Sequence, residues 1–154
     1  MMRFQLLIFL LWISCSCSTS TVKWDEVNFS LAEIQKATAR TLPGGIREIS
    51  TNEREYLSRY FLPNAKVVQP EYAINAPLRA YAKIVILGDR RPYQINVEVF
   101  TERRVGFRNN NREDPIFEHS GQDAALAANL AQKLKGLLIK GRDNRNLIDD
   151  FRPF

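Results

Sequence analysis

Past residue 17 the sequence contains no cysteine, and in its whole length it holds a single histidine, His119. The first absence excludes a disulfide framework and a thiol nucleophile from the body of the chain. The second leaves a lone imidazole with no Gly-x-Ser-x-Gly run to supply a partner nucleophile. His119 stands just ahead of an expected helix, which is the place of a surface or capping residue. No apolar run reaches the ~20 residues that a membrane-spanning helix requires. The longest, Phe4 to Ile13, has about ten. Internal repeats and low-complexity tracts are also missing. The two cysteines, Cys15 and Cys17, are only two ligands at C-x-C spacing, far from His119, and do not make a metal site. Asp149 and Asp150, with Asp143, are the remaining cation candidates. Hard-cation loops alternate their carboxylates and turn at a glycine, whereas Arg145 and Leu147 interrupt this run. No metal, no cofactor and no catalytic residue is implied, and the expectation is a protein that is not an enzyme.

What is present describes an ordinary globular domain. The chain has 154 residues, 45% apolar and 25% charged, enough for one domain with a modest core plus a short leader. The formal charge is +5. Acids and bases are interleaved throughout, which reads equally as a solvated surface and as a mild preference for anionic surfaces such as lipid headgroups or lipopolysaccharide.

The leader carries the most specific signal. Met1-Met2-Arg3 is a short basic start, Phe4 to Ile13 is apolar, and small polar residues follow from Ser14 to Thr21. This is the layout of a secretory signal peptide. Ile13-Ser14-Cys15 resembles the signal of bacterial lipoproteins, in which the cysteine after the apolar run is acylated and becomes the new N-terminus. That family prefers Leu three residues before the cysteine, where this chain has Trp12. Cys15 is the favoured lipidation site and Cys17 the second candidate. The resemblance implies a membrane anchor through the N-terminal lipid. By the sorting rule of enteric bacteria, Ser16 or Ser18 after the cysteine, in place of Asp, implies outer-membrane delivery facing the periplasm, with a soluble periplasmic protein as the fallback. Export makes nucleic acid an unsuitable partner. The expected organisation is 1–14 signal peptide, 15–22 lipidated cysteine and tether, 23–141 domain, and 142–154 C-terminal tail.

The body is organised around Leu78 to Arg104. Tyr93, Ile95, Val97, Val99 and Thr101 alternate with Gln94, Asn96, Glu98, Phe100 and Glu102, so this run is a strand with one buried and one wet face. Ala80, Ala82, Ile84 and Ile86 share a face of the preceding run, and Gly88-Asp89-Arg90-Arg91-Pro92 is the turn between them. Trp24 to Phe29 is an opening segment whose aromatics pack on the domain. Ser30 with Glu33 is a capping box for a first helix, ended by Pro43-Gly44-Gly45. Ile46 to Phe61 reads as a hairpin with its turn at Thr51–Arg54. A helix remains the alternative there, because Ser50 and Glu53 form another capping-box pattern. Lys66 to Pro77, with Pro70 and Pro77, is a surface crossing. Val105 to Ser120 is expected to be a loop with a short strand at Ile116-Phe117. Ser120 with Asp123 then opens a second helix, Asp123 to Lys140, with Ala127, Leu130, Ala131, Leu134, Leu137 and Leu138 inward and Gly141 as its cap.

Together these elements predict an α+β fold, a two-layer sandwich in which a mostly antiparallel sheet of about four strands is covered by two helices. Leader, size and element order resemble the small α/β lipoproteins that assist envelope assembly and transport machines, such as the lipopolysaccharide-transport lipoprotein. The resemblance implies a non-catalytic accessory or binding component with an envelope protein partner. Two binding regions stand out. Arg103, Arg104, Arg108 and Arg112 form an arginine-rich stretch suited to phosphate or carboxylate, which gives an alternative function as a binder of an anionic envelope ligand. The tail's Phe151 and Phe154 either pack back on the domain or dock into a partner. A small envelope enzyme is the minor alternative.

Overall fold

The computed structural model describes residues 20–64, 70–108 and 114–149, with backbone alone from 143 to 149. Cys15, Cys17, Arg112, Phe151 and Phe154 therefore lie outside the described residues, as do the side chains of Asp143 and Asp149 and the whole of Asp150. Along the chain run β1 (Val22–Val27), α1 (Leu31–Thr41), β2 (Ile46–Ile49), β3 (Glu55–Ser58), α2 (Pro70–Ala73), β4 (Leu78–Leu87), β5 (Tyr93–Phe107), β6 (Pro115–Gln122) and α3 (Ala124–Asp149). The fold is α+β with an open antiparallel sheet. Among the described residues it has six strands and three helices, where the sequence suggests about four and two.

The strand order is β1-β5-β4-β3-β2, with β6 also on β5. The length of β5 explains this arrangement. At 15 residues it pairs with β4 along one side, from Leu87↔Gln94 to Leu78↔Arg103. Its other side takes β1 first, with Val22↔Val97, and then β6, from Phe100↔Gln122 to Phe107↔Pro115. The opening segment from Trp24 packs its aromatics on the core as expected and also forms part of an edge strand, and one expectation is corrected here. Val105 to Ser120 is largely the far end of a long hairpin rather than a loop. Its alternation is hidden because the register shifts twice, once at Val105 in β5 and once at Ser120 in β6. Each extra residue reverses the face assignment after it.

The hairpin reading of Ile46 to Phe61 holds, since β2 and β3 pair antiparallel. The Ser50–Glu53 pattern closes the turn instead of capping a helix. Ser50 Oγ accepts from the backbone N–H of Arg54 (3.2 Å) and Glu55 (2.9 Å), and Glu53 takes a positive φ of 53°. The first helix has its capping box, with Glu33 N–H donating to Ser30 Oγ and Ser30 N–H donating to Glu33. The last helix is corrected at both ends. Ser120 belongs to β6, and Asp123 itself caps α3 by accepting from Leu126 N–H at 2.9 Å. Gly141 does not stop the helix, which continues to Asp149; a C-terminal glycine cap needs a positive φ, and Gly141 is not among the residues that have one.

The core lies on one face of the sheet. Ala80, Ala82, Ile84 and Ile86 from β4, and Tyr93, Ile95, Val97 and Val99 from β5, cluster with Ile34 and Ala37 of α1 and with Ala127, Leu130, Leu134 and Leu138 of α3. The two long helices pack on each other and α3 on β1 and β5. Among the described residues no helix is long and apolar enough to cross a membrane.

Candidate functional site

The alternate residues of the same strands form the other face, which neither α1 nor α3 covers. Strand alternation places Arg79, Tyr81 and Lys83 of β4 and Glu98, Phe100 and Glu102 of β5 there. Tyr60 joins them because of a bulge. The β3–β4 register reads Leu57↔Lys83, but Phe61 lies opposite Ala80, one residue out of step. Phe61 therefore fills the core position and Tyr60 turns to the open side. Ser58 Oγ bridges the break by accepting from Ala82 N–H at 2.8 Å.

These residues build a row of rings across four adjoining strand positions. Tyr60 meets Tyr81 edge-on at 5.9 Å, Tyr81 stacks on Phe100 at 5.2 Å, and Phe100 contacts the His119 ring at 5.8 Å. Beside the row, the Arg79 guanidinium is sandwiched between Tyr60 (3.7 Å) and Phe117 (3.4 Å) and paired with Glu102 at 2.7 Å. Arg47 of β2 lies over Tyr60 at 4.4 Å and Tyr81 at 5.0 Å. Stacked rings and arginine planes of this kind are the commonest anchors of protein interfaces. The Tyr81 phenol is held above its ordinary pKa by burial first and Glu102 second, while Arg47 pulls it down.

The sequence-expected site residues fall elsewhere. Arg103 is exposed on β5, the Arg104 guanidinium donates to Asn75 O at 2.6 Å, and Arg108 pairs with Asp114 at 3.4 Å. They lie along the far end of the β5–β6 hairpin and do not converge. His119 is exposed, and its ring contacts Phe100 at 5.8 Å. No group of three His, Cys, Asp or Glu side chains converges as a metal site among the described residues. Sequence reasoning missed Arg47, Tyr60, Arg79, Tyr81, Phe100 and Phe117. The usable signal was the pairing of the central hairpin, which sets Tyr81 opposite Phe100 and Arg79 opposite Glu102. Comparison with known protein families, curated proteins and solved structures finds no match.

Proposed function

We propose that the chain is a non-catalytic, lipid-anchored accessory protein of the bacterial envelope that holds a protein partner of an assembly or transport complex on its open sheet face. The observation that carries this reading is the ring row Tyr60, Tyr81, Phe100 and His119, displayed where no long helix covers the sheet. Aromatic and arginine side chains held rigidly by one another lose little conformational freedom when a partner covers them. The leader supports anchoring at Cys15, with Cys17 as the second candidate, in the outer membrane and facing the periplasm. Ser20 N–H already donates to Gln122 and Thr21 Oγ1 to Glu98. The five residue steps from Cys15 to Ser20 therefore span at most about 18 Å, so the anchored domain sits close against the bilayer.

The test has two parts. A palmitate analogue should label the wild-type protein in growing cells and fail to label Cys15→Ala or Cys17→Ala; an unlabelled wild type removes the anchor. A photo-crosslinking residue at Tyr81 or Phe100 should yield a discrete adduct that the same residue at Gln132, on the exposed side of α3, does not. Equal adducts from both positions would refute the assignment of the face.

A second reading keeps one observation in its favour. Arg103 is exposed and has no ion pair among the described residues, which suits an anionic envelope ligand. Such binding would weaken steeply with salt, whereas contact through the ring row would not.

A further inference from the structure

We infer that the corner of the open face between β2, the Arg59–Tyr60 bulge and α2 is a subsite for a carboxylate carried by an acidic, partly apolar segment of the protein partner. The inference rests on the open face being the partner-binding surface. It starts from the ion pairing on that face. Glu102 is taken by Arg79 at 2.7 Å, Glu55 by Lys83 at 2.8 Å, and Glu98 accepts from the Thr21 hydroxyl at 2.5 Å. Arg47 and Arg59 have no ion pair within 4 Å and no guanidinium hydrogen bond among the described residues. They line one cleft of about 280 Å³ with Tyr60, Pro70, Glu71 and Ile74. Glu71 is exposed and bonded to neither arginine, as is Glu48 beside Arg47, so the cleft itself still carries two cations against one anion.

Arg47 is already positioned by its two ring contacts, which leaves its planar fork free at the edge to take a carboxylate in two parallel bonds. The walls of Tyr60, Pro70 and Ile74 are apolar, and Ile74 and its neighbour Tyr72 are 54% and 66% exposed. The cleft is smaller than the roughly 300 to 1,000 Å³ of sites that enclose a small molecule. It suits one or two side chains of a larger ligand, whose chain would continue along the ring row. A lipid bilayer is the less suitable anion, because a flat headgroup layer does not enter a concave corner between a strand and a helix.

The experiment uses the full-length chain in detergent and two fluorescent probes, the blocked tetrapeptide Asp-Leu-Asp-Phe and its Asn-Leu-Asn-Phe counterpart. Anisotropy should show the acidic probe binding at least about tenfold more tightly, as expected for a charge-assisted pair. The double variant Arg47→Gln, Arg59→Gln should remove that preference with an unchanged melting temperature, since both side chains are exposed. Lys140→Gln, an exposed cation on α3, should change binding by less than about twofold, as for other solvated charges. Equal binding of the two probes, or an unaltered preference in the double variant, would overturn the subsite. So would displacement of the acidic probe by phosphatidylglycerol vesicles that depends on these two arginines. The crosslink from Phe100 separates the two ideas. If it forms while the acidic probe shows no preference, the surface stands and the subsite falls; if it is lost while the preference remains, the surface reading is the one that fails.

Discussion

Ile84 and Lys83 are neighbours in β4, and they end on opposite sides of one sheet. On the side of Ile84 the alternate residues of β4, Ala80, Ala82 and Ile86, are aliphatic and buried, in one cluster with side chains of α1 and α3. On the side of Lys83 they are rings, arginines and carboxylates that are half-buried by one another alone. The two faces share strands, register and length, so the difference lies entirely in what each set of alternate side chains can do. One face is stabilised by removing area from water. The other is held by stacking and charge pairing, which cost less to uncover and can exchange partners.

Four measurements would break or sharpen this contrast. The largest effect belongs to the covered face: Ile84→Ala should cost about 3 kcal/mol in chemical denaturation, because it empties a closed site. Next comes Arg79, held between two rings and on Glu102. Arg79→Ala should cost about 1 to 2 kcal/mol, and Arg79→Lys should recover little of it, since an ammonium does not fill the sandwich. If Arg79→Ala cost as much as Ile84→Ala, the open face would have to be counted as a second core. Arg47→Gln should change stability by no more than about 0.5 kcal/mol, because that side chain is exposed and forms no ion pair among the described residues.

The smallest effect is read by tyrosinate absorbance. Tyr56, on the covered side, and Tyr81, on the open side, both titrate above the ordinary tyrosine value through burial, with Glu53 adding to the first and Glu102 to the second. Arg47 opposes the shift at Tyr81 alone. Arg47→Gln should therefore push Tyr81 higher and leave Tyr56 unmoved. Both phenols have folded values above the unfolded one, so their contribution to stability is complete below pH ~10 and declines as pH rises through the raised values.

The parts of the fold that were legible share a property: each is written in a short stretch of chain. The alternation in β4 and β5, the Ser30–Glu33 capping box and the leucine stripe of α3 are read from neighbouring residues, because strand and helix periods are local. The β5–β6 hairpin was not legible past Arg104, because the register shifts at Val105 and Ser120 break the period that identifies a strand. Gly141 misled for a related reason. A glycine permits a left-handed cap, but the backbone around it decides whether one forms.

The candidate site was the least legible part. Tyr60, Tyr81, Phe100 and His119 stand far apart in the chain, and no local pattern links them. By itself the sequence determined the α+β class and the buried side of the central hairpin, since composition and period are properties of contiguous residues. Only the tertiary structure decided that β5 carries three neighbours, that one bulge turns Tyr60 outward beside Tyr81, and that Arg79 is ion-paired while, among the described residues, Arg47 is not. Those facts depend on which strands pair and in what register, and strand pairing is a long-range contact that no window of sequence contains.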